Sequence, residues 1–539
     1  MMNPLSFRRY WLTGVSISLM RCVLSPGVFA QHANDLPSSY LLDDRKYSSI
    51  ILAEVGPWNV TAQEFLLNYE YGPAFPKRAS DSKKHYLTYM IYEKLLALDG
   101  YDRGLQSSRE VQEVLSEVEA DLATEELYKD DVLNTVHISD KDIERGVSKQ
   151  NMHLSLKWLF SPTNEYIFRE AKLLQNGASF DSLFALQCAD SVTADNRSMQ
   201  TTRFELEMKN SALAAAIDSL AAGMVTPPIH APDGWYIVKI VEAWTNPIIT
   251  ETENIKRHED VRRALFQHRS DSLSDQYVHH MLLEQNPVID KESFDLLQAH
   301  LGKKFLPAEK FAAWDFKKKL ALQERHPNPD SVDLYRNDVL VTMNNSKFLF
   351  GDFLDWEKPR DLYIRLDTKS PHAFFASVEQ LVWRMVRDRM LTQEAYRRGL
   401  QKRESVVKQT KWWEEKLVYR AEKLEIDNSI NQDDSALHKY YDEHKRDYVN
   451  DKGDVRPFGE VKEDVSRDAF TYQETSRLLH KILRLKQKYA VKINDATLKN
   501  LYVDEENSPK AIDVYTVKKG GIFPHTAFPS IDYEWQTWD

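Results

Sequence analysis

The stretch KWWEEKLVYR at 411–420 has helical spacing and sets Trp412, Trp413 and Tyr419 among charged residues. Aromatic side chains placed this way either pack against a neighbouring helix or line a groove for apolar stretches of unfolded polypeptide. In a groove they would act as anchors that carry much of the binding energy. The chemistry would then be non-covalent capture. Constellations for covalent chemistry are missing from the sequence: there is no G-x-x-x-x-G-K-[ST] loop, no H-E-x-x-H and no C-x-x-C. His279 and His280 adjoin each other in YVHHMLL, and adjacent helical residues do not share a face, so they make no metal pair. Cys188 ends an apolar helix and is expected to be buried and inert. Asp190, two residues on in QCADS, can cap a turn after that helix. Neither a metal nor a cofactor is expected.

The elements that would position these residues belong to a long chain. Its 539 residues exceed one core, so several domains are expected. Hydrophobic residues make up 42% and charged ones 28%, an ordinary globular balance. The net charge is −11 with no strongly basic block, which disfavours nucleic acid, since phosphate neutralisation needs clustered Lys and Arg. Residues 1–30 place Arg8 and Arg9 before an apolar run and end in Val28-Phe29-Ala30, the layout of a secretory signal peptide. No later stretch has about 18 uninterrupted apolar residues, so no stable membrane insertion is expected. The expected localisation is exported and periplasmic.

The chain repeats itself. MIYEKLLALDGYDRGLQ at 90–106 aligns without a gap with MVRDRMLTQEAYRRGLQ at 385–401, and EDVRRALF at 259–266 aligns with EDVSRDAF at 463–470. The first pair is offset by 295 positions and the second by 204, a difference of 91. The first copy therefore carries about ninety residues that the second lacks, enough for a small inserted domain.

That insertion reads as α+β. LSLKWLFSP (154–162) is a strand, and EYIFREAKLLQNGASFDSLFALQ (165–187) is helical with a break at Asn176-Gly177. SALAAAIDSLAAG (211–223) is a helix expected to end on Gly223, and VTPPIHAPDGWYIVKIVEAW (225–244) is two strands around Pro232-Asp233-Gly234.

The order of these pieces, with the NG-x-x-F-x-x-L, A-D-S and DGWYIVKI stretches, resembles a parvulin-type peptidyl-prolyl isomerase domain. EVGPWNVTAQEFLLNYE (54–70) and VTMNNSKFLFGDFLDWE (341–357) resemble the opening of the helical chaperone module of the periplasmic SurA/PrsA family, and QKYAVKINDATLKNLY (487–502) resembles its closing helix and strand. The resemblance implies a mainly α fold with duplicated SurA-N-like helical modules and an inserted α+β parvulin-like domain. The expected layout is a signal peptide (1–30), module 1 (49–150), the parvulin-like domain (151–245) and the closing helix of module 1 (246–300). A linker (301–338), module 2 (339–450), its closing helix (455–505) and an irregular aromatic tail (506–539) follow.

The resemblance also implies a site. The family's first His position falls on Trp158, its Cys/Asp position on Asp190 and its last His position on Tyr236, while Met208 and Leu213 would line the proline pocket. One of three polar positions survives, so weak or absent isomerase activity is expected. The implied function is an exported chaperone that binds unfolded or extended secreted and outer-membrane polypeptides. The alternatives are an active parvulin-type isomerase and a structural partner of an envelope complex. A duplicated cradle suits weak multivalent capture, because linked sites raise avidity without new contacts.

Overall fold

A computed structural model describes residues 45–73, 75–78, 81–188, 191–231, 233–245, 250–321, 330–503 and 528–538. Residues 1–30, expected as a leader, and Asp190 lie outside the described residues.

The described residues are mainly helical, with three small antiparallel sheets. The first half opens on a hairpin, β1 (Ile51–Val55) and β2 (Trp58–Thr61), turned by Gly56 at φ 56°. Thr61 accepts a hydrogen bond from the Glu64 amide and caps α1 (Ala62–Tyr71). Two long helices follow, α2 (Ser82–Asp102) and α3 (Arg109–Asp131). Gly104 joins them at φ 80°, a left-handed conformation that glycine adopts without strain. α2 buries residues on all its sides, as a central helix must. A capping box of Ser139 and Asp142 starts α4 (Asp140–Gln150).

A four-stranded unit follows: β3 (Met152–Ser161), β4 (Ser198–Thr202), β5 (Ile229–Ala231) and β6 (Gly234–Thr245), in the order β4-β3-β6-β5. Strand alternation sends side chains of one sheet to two opposite clusters. α5 (Asn164–Gln175) and α6 (Phe180–Gln187) cover Leu159 and Ile237. α7 (Arg203–Lys209) and α8 (Ser211–Ile217) cover Leu154, Leu156 and Val238. The helix expected to run to Gly223 ends at Ile217, because the Gly223 amide turns away and donates to the Ile240 carbonyl at 2.7 Å. Met152 pairs with Thr245, so the two ends of the unit lie side by side.

Next come α9 (Glu251–Gln285), β7 (Val288–Ile289) and α10 (Lys291–Phe305). The opening order then returns: β8 (Val339–Thr342), β9 (Lys347–Leu349), α11 (Phe350–Glu357), α12 (Pro371–Arg397) and α13 (Glu404–Asn428). Gly399, at φ 73°, joins the last two as Gly104 joins α2 to α3. α14 (Asp434–Glu443), α15 (Phe458–Lys488), β10 (Val491–Ile493) and α16 (Asp495–Asn500) complete the chain up to residue 503.

Two expectations are corrected. Each closing segment was expected to close its own module, but the closures are crossed: β7 pairs with β8, and β10 pairs with β1. The helical hairpins cause this. α13 packs against both α2 and α3, and α12 packs against α3. Leu478, Ile482 and Leu485 of α15 then sit in the core with Leu87 and Leu95 of α2, which delivers β10 to β1. The second correction concerns 301–338, expected as a linker. Leu306, Phe316, Leu320 and Val332 are buried there with Phe350, Phe353 and Phe374, because their apolar spacing gives them a core to join.

Candidate functional site

The sequence-selected residues fall in two places. The first is the sheet face under α7 and α8. Trp158 on β3 and Tyr236 on β6 point to the same side, since both are an even number of residues from Leu154 and Val238 respectively. They share one cluster with Leu213 and with Met199 of β4. Met208 is not there. Its helix turns it outward, with Phe204 at i−4, onto Ile143 and Val147 of α4 and Val261 of α9. It fixes the unit to the body, and Met199 supplies the thioether on the sheet face. Period-2 counting along β4 could have found Met199, but SMQTT carries too weak a strand signal.

Polar groups near this face are few. The Tyr236 hydroxyl donates to Asp233, and its ring lies 5.0 Å from that of Phe160. Burial, with the Asp233 carboxylate, pushes the Tyr236 phenol above its ordinary value. Cys188 is buried under α5 and α6, on the opposite side of the sheet. Among the described residues no group of three His, Cys, Asp or Glu is placed to hold a metal.

The second place is a crevice between α1, α2 and α13. Helical spacing puts Trp412, Glu415, Lys416 and Tyr419 toward α2. Trp413 and Tyr419, which helical spacing leaves open to either helix packing or a groove, are core residues at 7% and 1% exposure. Trp412 is half-buried against Phe528, ring centroids 6.2 Å apart. The crevice is occupied by the chain's own residues 528–538, where an irregular tail was expected. Phe528, Ile531 and Trp535 are all buried. The Trp535 indole stacks on Tyr89 at 5.6 Å and on Tyr419 at 6.4 Å.

The polar contacts there are specific. Asn68 of α1 donates to the Pro529 carbonyl at 2.9 Å and accepts from the Ile531 amide at 3.1 Å. Glu93 of α2 accepts from the Asp532 amide at 2.8 Å and from the Trp535 indole at 2.9 Å. Asp532 pairs with Lys416 and Arg420, each at 2.9 Å. Burial acts to raise the Asp532 pKa, but Lys416 and Arg420 outweigh it and hold the carboxyl below its usual range. Burial raises that of Glu93 in spite of Lys416. Sequence reading found the α13 aromatics and the aromatic tail but missed Asn68, Glu93 and their pairing with it, because 461 and 442 positions separate the contacts. The arrangement can bind a polypeptide by its main chain, three apolar side chains and one carboxylate.

No protein-family model matches the chain, and neither does any curated protein. Solved structures similar to part of it include peptidylprolyl isomerase PrsA from Bacillus anthracis, at 14% identity over 34% of this chain and 88% of that one, with a TM-score of 0.20. PrsA from Bacillus cereus matches at 16% identity over 40% of this chain and 88% of that one, with a TM-score of 0.21. The foldase protein PrsA from Streptococcus pneumoniae matches at 14% identity over 41% of this chain and 87% of that one, with a TM-score of 0.20.

Proposed function

We propose that this protein is an exported folding factor that holds unfolded or extended secreted and outer-membrane polypeptides in a helical cradle. In this reading the cradle is two interlocked copies of one SurA-like module. The unit at 151–245 is a parvulin-like domain of weak or no isomerase activity. The observation that supports polypeptide binding is the crevice between α1, α2 and α13, which grips residues 528–538, ending in a 3-10 helix, by Asn68, Glu93 and aromatic walls.

The low isomerase activity follows from the reaction. Rotation about an X–Pro bond meets a barrier of ~18–20 kcal/mol, and an enzyme lowers it by binding the twisted amide better than the planar one. That needs free hydrogen-bonding groups at the amide. The Tyr236 hydroxyl is engaged by Asp233, and Trp158 offers an indole where the family has imidazole. Losing such partners costs about 10²–10³-fold each.

Two assays run side by side test this. The protein should keep an unfolded outer-membrane protein soluble, with micromolar affinity or about 8 kcal/mol. Salt should weaken capture only modestly, since apolar burial is not screened. Turnover of an X–Pro peptide should be at least ~10²-fold below that of an ordinary parvulin. A folded chain that neither binds nor protects unfolded proteins would leave the structural-partner reading. The second reading, an active isomerase, is favoured by Trp158, Met199, Leu213 and Tyr236 sharing one apolar cluster. Robust turnover abolished by Asp190→Ala would establish it.

A further inference from the structure

We propose that the crevice between α1, α2 and α13 is a sequence-selective peptide site, and that residues 528–538 occupy it as the chain's own competing ligand. The ligand class is a segment with an aromatic residue, an aliphatic–Asp pair three residues later, and Trp three residues after the Asp on a short 3-10 helix, as in FPSIDYEW. This inference rests on the folding-factor reading and gives it a recognition rule.

Four observations carry it. Asn68 and Glu93 read the segment's backbone through their side chains, the way a binding site holds a separate peptide. The body also presents charge that the segment completes: Lys416 and Arg420 meet Asp532 inside the crevice.

The repeat supplies the third observation. Asp388 of α12 is the counterpart of Glu93, and it accepts the Trp356 indole of α11 at 2.9 Å, from within its own half. Glu93 takes the same kind of donor from 442 positions away, so the first half leaves this place to an outside indole. Finally, the segment does not fill the slot. A cavity of ≈ 40 Å³ remains beside it, lined by Glu64, Leu67, Trp412 and Glu415 among others. That is room for water or a larger side chain.

The test uses the full chain and a labelled peptide of sequence TAFPSIDYEWQTWD. Asp532→Lys sets a like charge against Lys416 and Arg420 and should expel the segment. The variant is expected to bind the peptide at least tenfold more tightly than the unaltered chain does, and a peptide carrying Lys for the Asp should not bind. A folded Asp532→Lys chain that binds no peptide overturns the proposal. A measurement on the unaltered chain decides the matter if the variant fails to fold. Hydrogen exchange at the Ile531 and Asp532 amides should be faster than in α2, and faster still with excess free peptide. Exchange only through global unfolding overturns the proposal. Aggregation suppression separates the two readings. Peptide binding without suppression leaves the site standing and removes the folding-factor function, while suppression without peptide binding does the reverse.

Discussion

Asp427, near the end of α13, has a pKa pushed up to about 6 by burial and by Glu474, against the pull of Lys423. An unfolded Asp titrates near ~3.9. Below pH 4 the carboxyl is protonated in both states and costs nothing. Between pH 4 and 6 the unfolded chain ionises first, so stability falls as pH rises, and above pH 6 the penalty is complete. Asp427→Asn should therefore stabilise the protein at pH 7 by on the order of 1 kcal/mol and change little at pH 4. Lys423 retains Glu474 at 2.5 Å in the variant. Thermal melts at the two pH values check this, and equal shifts at both would refute it. Some residues at this scale were legible and others were not. Trp158 and Tyr236 could be placed on one sheet face from strand alternation, whereas Leu213, on α8, could be placed with them only through the family resemblance. Met208 could not, because a helix of seven residues has two apolar sides and only the fold chooses which one meets the sheet. Asn68 and Glu93 carry no local signal, since their meaning lies in a segment far along the chain.

The helical hairpins are the elements that sequence conveys best. RGLQ follows the last turn of α2 and of α12, and both glycines adopt φ of 80° and 73°. A left-handed residue at a helix end is a local demand, so it survives as a local motif. A Cβ at either position would have nothing within 4 Å, which leaves backbone strain as the whole cost of substitution. Gly104→Ala and Gly399→Ala should each cost about 1 kcal/mol and should match each other within a few tenths. Gly146→Ala is the contrast. Its Cβ would meet Val261 at 2.4 Å and Phe204 at 3.2 Å, where α4, α7 and α9 converge. It should cost about 1–3 kcal/mol from overpacking and loosen the α+β unit first. Urea titrations of the three variants test both statements, and a cheap Gly146→Ala would mean that the unit does not lean on α4. What sequence conveyed least at this scale was strand pairing. β7 has two residues and β10 three, too short to encode which hairpin each will join.

Crossed closure makes the two halves one folding unit. Among the described residues, β1–β2 is completed by β10 alone, and β8–β9 by β7 alone. The interface between the hairpins is also charged and buried. Lys94 pairs with Glu64 and Glu415, Lys416 with Glu93, and Arg360 with Glu117, at 2.6 to 2.9 Å. Removing one partner of such a pair strands the other in the interior, at about 3–5 kcal/mol each. Each half alone would expose these groups together with the apolar faces of α2, α3, α12 and α13. The repeat in the sequence announces two similar halves and invites the thought that each stands alone, whereas the packing makes them interdependent. Two fragments, 31–325 and 326–539, test this. Expressed together, they should form a 1:1 complex with the helical signal and cooperative melting of the intact chain. Expressed singly, each should lose cooperative melting and aggregate, because its sheets lack a strand and its carboxylates lack their lysines and arginines. Native mass spectrometry and circular dichroism read the result. A fragment that melted cooperatively on its own would mean that the first or second half closes on itself and that the crossed strands are an exchange the halves can do without.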